Sequence, residues 1–262
     1  MKKIFIEELI KFTKKDKNIL LVVNDLGYGM VEPFVKKFPK NIYNAGVSEQ
    51  SMMGYAAGLA ASGKHVFVYS IGNFNTFRCA EQIRNDIDYH KLPVTIVSAG
   101  AGVGYGNLGY SHHAIQDYAL IRSFPNMIIA SPGDEMELRS CMEYLVKSPQ
   151  PSYLRLEKSS QFKAHSKKPK LYPGKWLKVF EYKNTDKKKD IYLSTGSVIE
   201  FIQNSIKKKF FKKKSLYSMP LWSMKSKKHQ RQKIKKFNKI FVVENHLKDG
   251  GFQSWLNECN PE

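Results

Sequence analysis

Short apolar runs alternate with helix-length stretches along most of the chain, and this rhythm constrains the fold more than any other feature. Ile19–Val23 holds five apolar residues in a row, and it follows an amphipathic N-terminal stretch whose Phe5, Leu9 and Phe12 share one helical face. Residues 41–44, 65–70, 94–98 and 126–130 repeat the strand pattern. Residues 50–62, 78–89, about 114–123 and 134–147 fill the helical intervals. Strands alternating with helices pair in parallel and are covered on both faces, so the expected fold class is α/β with a doubly wound sheet.

The pattern breaks into Lys, Pro and polar residues between Glu157 and Asp190. Residues 1–158 are therefore expected to form a first domain, 159–189 a linker, and 190–262 a second, smaller α/β domain. The second domain reads as strand 191–194, helix 198–209, and strands 215–218 and 240–244. The helix at 50–62 carries Gly54, Ala56, Ala57, Gly58, Ala60 and Ala61. Side chains that small let it approach another backbone closely, and Gly63 ends it as a C-terminal cap.

Composition excludes several classes. A hydrophobic fraction of 42% supports a packed core. No apolar run reaches about 18 residues, and the N-terminus lacks a secretory pattern, so a cytoplasmic location and no membrane are expected. Cys79, Cys141 and Cys259 form no CxxC pair or ligand cluster; they read as reduced packing residues, and no metal site is expected. The net charge of +20 invites a nucleic-acid reading. Against it, the basic residues are 37 Lys and 6 Arg, and the Lys residues crowd into runs at 163–170, 183–189, 207–214 and 225–239. Arg is the residue suited to planar recognition of bases and phosphates, and such runs are usually solvated faces. No nucleic-acid partner is expected.

A series of motifs narrows the fold class further. Gly46-Val47-Ser48-Glu49-Gln50 precedes Met53-Gly54-Tyr55-Ala56-Ala57-Gly58-Leu59-Ala60. Arg78-Cys79-Ala80-Glu81-Gln82-Ile83, Ser111-His112-His113-Ala114-Ile115-Gln116-Asp117, Phe124-Pro125-Asn126-Met127 and Ser131-Pro132-Gly133-Asp134-Glu135 follow in order. Together with Leu21 to Gly27, Ser194-Thr195-Gly196-Ser197 and Val243-Glu244-Asn245-His246, this series resembles the transketolase family, including deoxyxylulose-phosphate synthases, and covers most of the chain. The resemblance implies a pyrimidine-binding domain followed by a shorter transketolase C-terminal-like domain, and thiamine diphosphate with Mg²⁺ as cofactors.

The same resemblance implies roles for particular residues. Glu49 matches the carboxylate that hydrogen-bonds a nitrogen of the aminopyrimidine and so activates the cofactor. Taken alone, a Glu opening a helix pairs with the helix dipole. Phe74 and Phe77 are candidates to stack on the pyrimidine; the spacing around Phe74 departs from that of the synthases, and core packing is the alternative for either ring. Arg78 and Asp25 are candidate cofactor contacts, Asp25 lying where ligands bind in doubly wound sheets. Arg78 alone reads as a surface ion pair. His112 is a candidate catalytic histidine. His113 and Asp117 are candidate substrate residues, and Asp117 reads equally as a solvent-facing helix residue. The run Gly100 to Gly106 has no Gly-Lys-Ser/Thr to make a P-loop, so it reads as a flexible loop over the site.

The family's Gly-Asp-Gly motif for the diphosphate and metal is not found in the sequence. The resemblance therefore implies a split enzyme: a separate diphosphate-binding chain as partner, a heterotetramer, and ketol transfer between sugars or sugar phosphates. The alternatives are an E1 β-type subunit of a 2-oxoacid dehydrogenase and a non-catalytic regulatory subunit with the same fold.

Overall fold

The structure is a computed structural model that describes residues 1–157, 162–182 and 189–260. The expected end of the first domain at residue 158, the start of the linker at 159, most of the 183–189 lysine run and the last two residues lie outside the described residues.

The strands are β1 (Ile19–Val23), β2 (Ile42–Asn44), β3 (His65–Ile71), β4 (Val94–Ala99), β5 (Ile128–Ala130), β6 (Ser152–Leu156), β7 (Leu177–Phe180), β8 (Ile191–Ser194), β9 (Ser215–Ser218), β10 (Leu221–Ser223) and β11 (Ile240–Val243). The helices are α1 (Lys2–Lys15), α2 (Glu32–Lys37), α3 (Glu49–Ala61), α4 (Ala80–Gln82), α5 (Asp117–Ile121), α6 (Glu135–Lys147), α7 (Val198–Lys207), α8 (Arg231–Ile234) and α9 (Phe252–Asn257). The architecture is α/β with two sheets. The first runs β10-β5-β6-β4-β3-β1-β2 and the second β11-β8-β9-β7.

The inner strands of the first sheet are buried on both faces, which is why β1 is continuously apolar and β3 and β4 are mostly so. Val22, Val66, Val68, Val94 and Ile96 join Met52, Met53, Ala56 and Ala60 of α3 in one core. Leu21, Val23, Phe67, Tyr69 and Val97 alternate with them and meet Phe5 and Leu9 of α1 and Leu138 and Leu145 of α6 in another. A small third core, around Ile199, Ile202 and Leu216, holds α7 on the second sheet. Asp134 caps α6 by accepting from Glu137 N at 2.8 Å.

Several elements differ from the sequence expectation. The helix expected at 114–123 shrinks to α5, because the backbone of Ala114 pairs with Gly102 and Tyr110–His112 forms a 3-10 turn. The helix expected at 78–89 is present but changes pitch: a 3-10 turn at Phe77–Cys79 and α4 lead into a π-helical stretch at Ile83–Asp88. β6 lies between β4 and β5, and the charge of Arg155 hides it in the sequence. Each sheet also carries an antiparallel edge strand, β10 on β5 and β7 on β9, where parallel pairing was expected throughout. β7 lies inside the 159–189 stretch and joins the second sheet. β10, from the C-terminal half, completes the first.

Candidate active site

In a doubly wound sheet, ligands bind beyond the carboxyl ends of the strands. The candidate residues stand there. β1 runs into Asn24 and Asp25, β2 into Asn44, β3 into Gly72 to Phe77, and β4 into the glycine loop. Asn44 stitches the first two ends together. Its Oδ1 accepts from Asp25 N at 2.8 Å and Gly46 N at 3.0 Å, and its Nδ2 donates to Asp25 Oδ1 at 3.1 Å. Asp25 also accepts from the Tyr28 hydroxyl at 3.0 Å, and its φ of 57° places it in the left-handed region that Asp tolerates.

Glu49 opens α3 and is buried. Its Oε1 accepts from Asn24 Nδ2 at 3.2 Å and from Arg78 Nη1 at 3.0 Å. Among the described residues Oε2 receives no hydrogen bond, and the buried Oδ1 of Asn24 has no partner either. The Arg78 guanidinium lies 4.3 Å from the centre of the Phe74 ring. Phe74 in turn meets the His112 imidazole edge-on at 5.2 Å, and Tyr105 meets the same imidazole at 5.7 Å. Glu49, Arg78, Phe74 and His112 thus form one continuous file. Phe77 is 45% exposed beside it. Cys79, behind the file, is a buried free thiol. Burial, then the nearby Glu49 carboxylate, pushes it up to about 12, so it stays neutral and unreactive at ordinary pH.

The other predicted residues hold the loops. His113 Nε2 lies 2.7 Å from the Gly106 carbonyl and, as donor, ties the His motif to the glycine loop. Asp117 is fully buried away from the file. Its Oδ2 accepts from Arg155 Nε at 2.7 Å and from the Tyr153 hydroxyl at 2.6 Å. It is not the solvent-facing helix residue that the sequence also allowed.

Sequence reasoning passed over Asn24, Asn73, Tyr105 and Arg155. Asn73 Nδ2 reaches the carbonyls of Ser111 at 3.2 Å and His113 at 3.0 Å, pinning the loop that carries His112. Arg155 donates to the carbonyls of Ala114 and Asn245, each at 2.9 Å, and so reaches the same loop from below. The findable signal for Asn24 and Asn73 was a polar side chain just past a β-strand's carboxyl end. The glycine loop is also shaped by close approach: a Cβ on Gly100 would stand 1.9 Å from the Tyr105 ring, and one on Gly102 would stand 1.8 Å from Asn245.

This arrangement can hold a ring bearing N–H donors. Among the described residues Glu49 Oε2 is an acceptor without a donor, and Arg78 links its carboxylate to the Phe74 ring, which in turn meets the His112 imidazole. Among the described residues, no group of three His, Cys, Asp or Glu side chains is placed to hold a metal ion.

Comparison with known proteins gives the same direction. The chain is 36% identical over 160 residues to one of the subunits of the apulose-4-phosphate transketolase of Phocaeicola vulgatus, a match spanning 61% of this chain and 51% of that one. It is 32% identical over 184 residues to 1-deoxy-D-xylulose-5-phosphate synthase of Aquifex aeolicus, 68% of this chain and 28% of that one. The chain thus spans about half the length of the curated transketolase subunits it matches. Among solved structures, a split-gene transketolase in an inactive β4 tetramer superposes with a TM-score of 0.83 at 26% identity, covering 98% of this chain and 83% of that one. Residues 1–162 match the family described as the transketolase pyrimidine-binding domain, and the chain belongs to that family.

Proposed function

We propose that this chain is the pyrimidine-binding subunit of a thiamine-diphosphate-dependent transketolase, transferring a two-carbon ketol unit between sugars or sugar phosphates. The observation that carries the reading is the state of Glu49: buried, fixed through one oxygen, and with the other oxygen lacking a donor among the described residues. A carboxylate held this way accepts from a pyrimidine nitrogen without losing its anchorage. Phe74 would supply the stacking surface on the ring face that Arg78 leaves free. The bound cofactor would supply a carbanion-stabilising thiazolium to the reaction. His112, steered by Phe74, Tyr105 and the Ser111 hydroxyl 3.0 Å from its Nδ1, would exchange protons with substrate hydroxyls.

A separate chain would carry the diphosphate and Mg²⁺. The sequence holds no Gly-Asp-Gly, and the surface around Glu49 exposes Tyr28, Val47, Tyr55 and Phe77, an apolar rim suited to being covered by another chain. Gly54 and Gly58, on the α3 face that carries Tyr55, leave open space for a close approach. The assembly proposed with it is a heterotetramer of two copies of each chain.

Calorimetric titration of thiamine diphosphate with Mg²⁺ tests it, using this chain alone and mixed with the diphosphate-binding chain. Binding in the mixture only is the expected result. Tight binding to this chain alone would refute the division of labour, and no binding in the mixture would refute the cofactor reading.

A further inference from the structure

A cavity of about 600 Å³ opens on the far side of the molecule from Glu49. Its lining includes Ile128, the first residue of β5, and Ser223, which pairs with Ile128 at the end of β10. It therefore lies at the amino end of the parallel strands, whereas the candidate active site lies at their carboxyl ends. Its volume is in the range of small-molecule sites.

The cavity is built rather than incidental. Its floor is a reciprocal cap, in which Ser223 Oγ accepts from Ser226 N at 3.2 Å and Ser226 Oγ accepts from Ser223 N at 3.0 Å. Gln230, fully buried, donates to the Gly174 carbonyl at 3.2 Å and accepts from Trp176 Nε1 at 2.8 Å. Gly174 has φ +83°, and a Cβ there would stand 2.4 Å from Gln230. Tyr144 and Tyr172 supply aromatic walls.

The rim is positive. Lys225, Lys228, His229 and Lys233 line it, and among the described residues no carboxylate does. Two of the lysines are held in place by neutral acceptors: Lys225 Nζ donates to Asn126 Oδ1 at 2.9 Å, and Lys233 Nζ to the Gly174 carbonyl at 2.8 Å. Asp88, an acid within electrostatic reach of Lys225, is buried and occupied by Asn126. Burial, then the charges of Lys236 and Lys175, holds Lys233 below its ordinary value.

We propose that this cavity binds a phosphorylated small molecule, with the phosphate between Lys225, Lys228 and Lys233 and the sugar or base against Tyr144 and Tyr172. Phosphate oxygens accept from several ammonium groups at once. The site is separate from the proposed cofactor site and does not depend on it.

Pyrophosphate is the first probe, titrated calorimetrically into the full chain at constant ionic strength. Adenosine monophosphate, ribose 5-phosphate and a single-stranded oligonucleotide follow. Saturable binding of one pyrophosphate per chain is expected. It should weaken at least about tenfold in the doubly substituted Lys225→Gln/Lys228→Gln chain, whose altered side chains are exposed, and stay unchanged in Glu49→Gln. Tighter binding of adenosine monophosphate than of pyrophosphate would assign a nucleotide, and tighter binding of ribose 5-phosphate a sugar phosphate. No saturable binding of pyrophosphate, equal affinity in the double variant, or binding of the oligonucleotide alone would overturn the proposal.

Discussion

The fully buried guanidinium of Arg155 donates from Nη2 to the carbonyl of Ala114 at 2.9 Å, one residue from His113. The same group reaches Asp117, Glu157 and the Asn245 carbonyl and lies 4.4 Å from the Tyr118 ring. Glu157 passes the connection to Ser197, at the start of α7. One arginine therefore ties the histidine loop, the core of the first sheet and the C-terminal domain together.

Removing that arginine strands two buried carboxylates, so Arg155→Ala should lower stability by about 3–5 kcal/mol in urea denaturation. Hydrogen exchange in residues 100–117 should accelerate at the same time. Arg155→Lys should recover only part of the loss, because an ammonium cannot reproduce the fork that reaches four partners. Unchanged stability in Arg155→Ala would refute the coupling.

Glu49→Gln keeps the shape of α3 and an oxygen that can accept from Asn24 and Arg78, and removes only the charge of the pair between buried Glu49 and half-exposed Arg78. The midpoint of thermal unfolding should barely move. Turnover of the assembled enzyme should fall at least about a hundredfold. Turnover retained within a few-fold would end the proposed role of Glu49.

Phe74 and Phe77 should separate by assay. Phe74 stands in the file with Arg78 and His112, so Phe74→Ala should raise the apparent Kd for thiamine diphosphate. Phe77 is exposed beside it, so Phe77→Ala should weaken subunit association in analytical ultracentrifugation more than cofactor affinity. The reverse pattern would exchange their roles.

His65 is buried against Thr95 at 3.2 Å, and burial pulls its imidazole down to about 4. The unfolded chain therefore binds a proton, between its ordinary value of 6.5 and 4, that the folded chain refuses. The stabilising contribution is present above pH 6.5 and is lost as pH falls towards 4, roughly 3 kcal/mol across that window. His65→Gln should flatten this acid limb in chemical denaturation measured from pH 7 to 4.

His165 works in the opposite sense. Burial alone would lower it, but the hydrogen bond at 2.9 Å and the charge of buried Glu137, with Asp134, hold it above its ordinary value. Its contribution is present below the ordinary imidazole value and is lost as pH rises through the raised one. Asp134 also accepts from Ala164 N and His165 N, so this pair pins the connector to α6. Proteolysis near residues 163–170 should rise on the alkaline side, and Glu137→Gln should remove the pH dependence.

The sequence alone determined the α/β class, most strands of the first sheet and the position of Glu49 at the head of a small-residue helix. These are local properties: unbroken apolar runs, side-chain size, and a motif whose residues are close in the chain. It could not show that β6 lies in mid-sheet, because Arg155 reads as a surface charge until Asp117, Glu157 and two carbonyls are brought around it. It could not show that β10 crosses from the C-terminal half to pair with β5, or that Asn24 and Arg78 converge on one oxygen of Glu49. Those relations join residues tens of positions apart. Only the packed chain, in which each buried charge and hydrogen-bonding group must find a partner away from water, decides them.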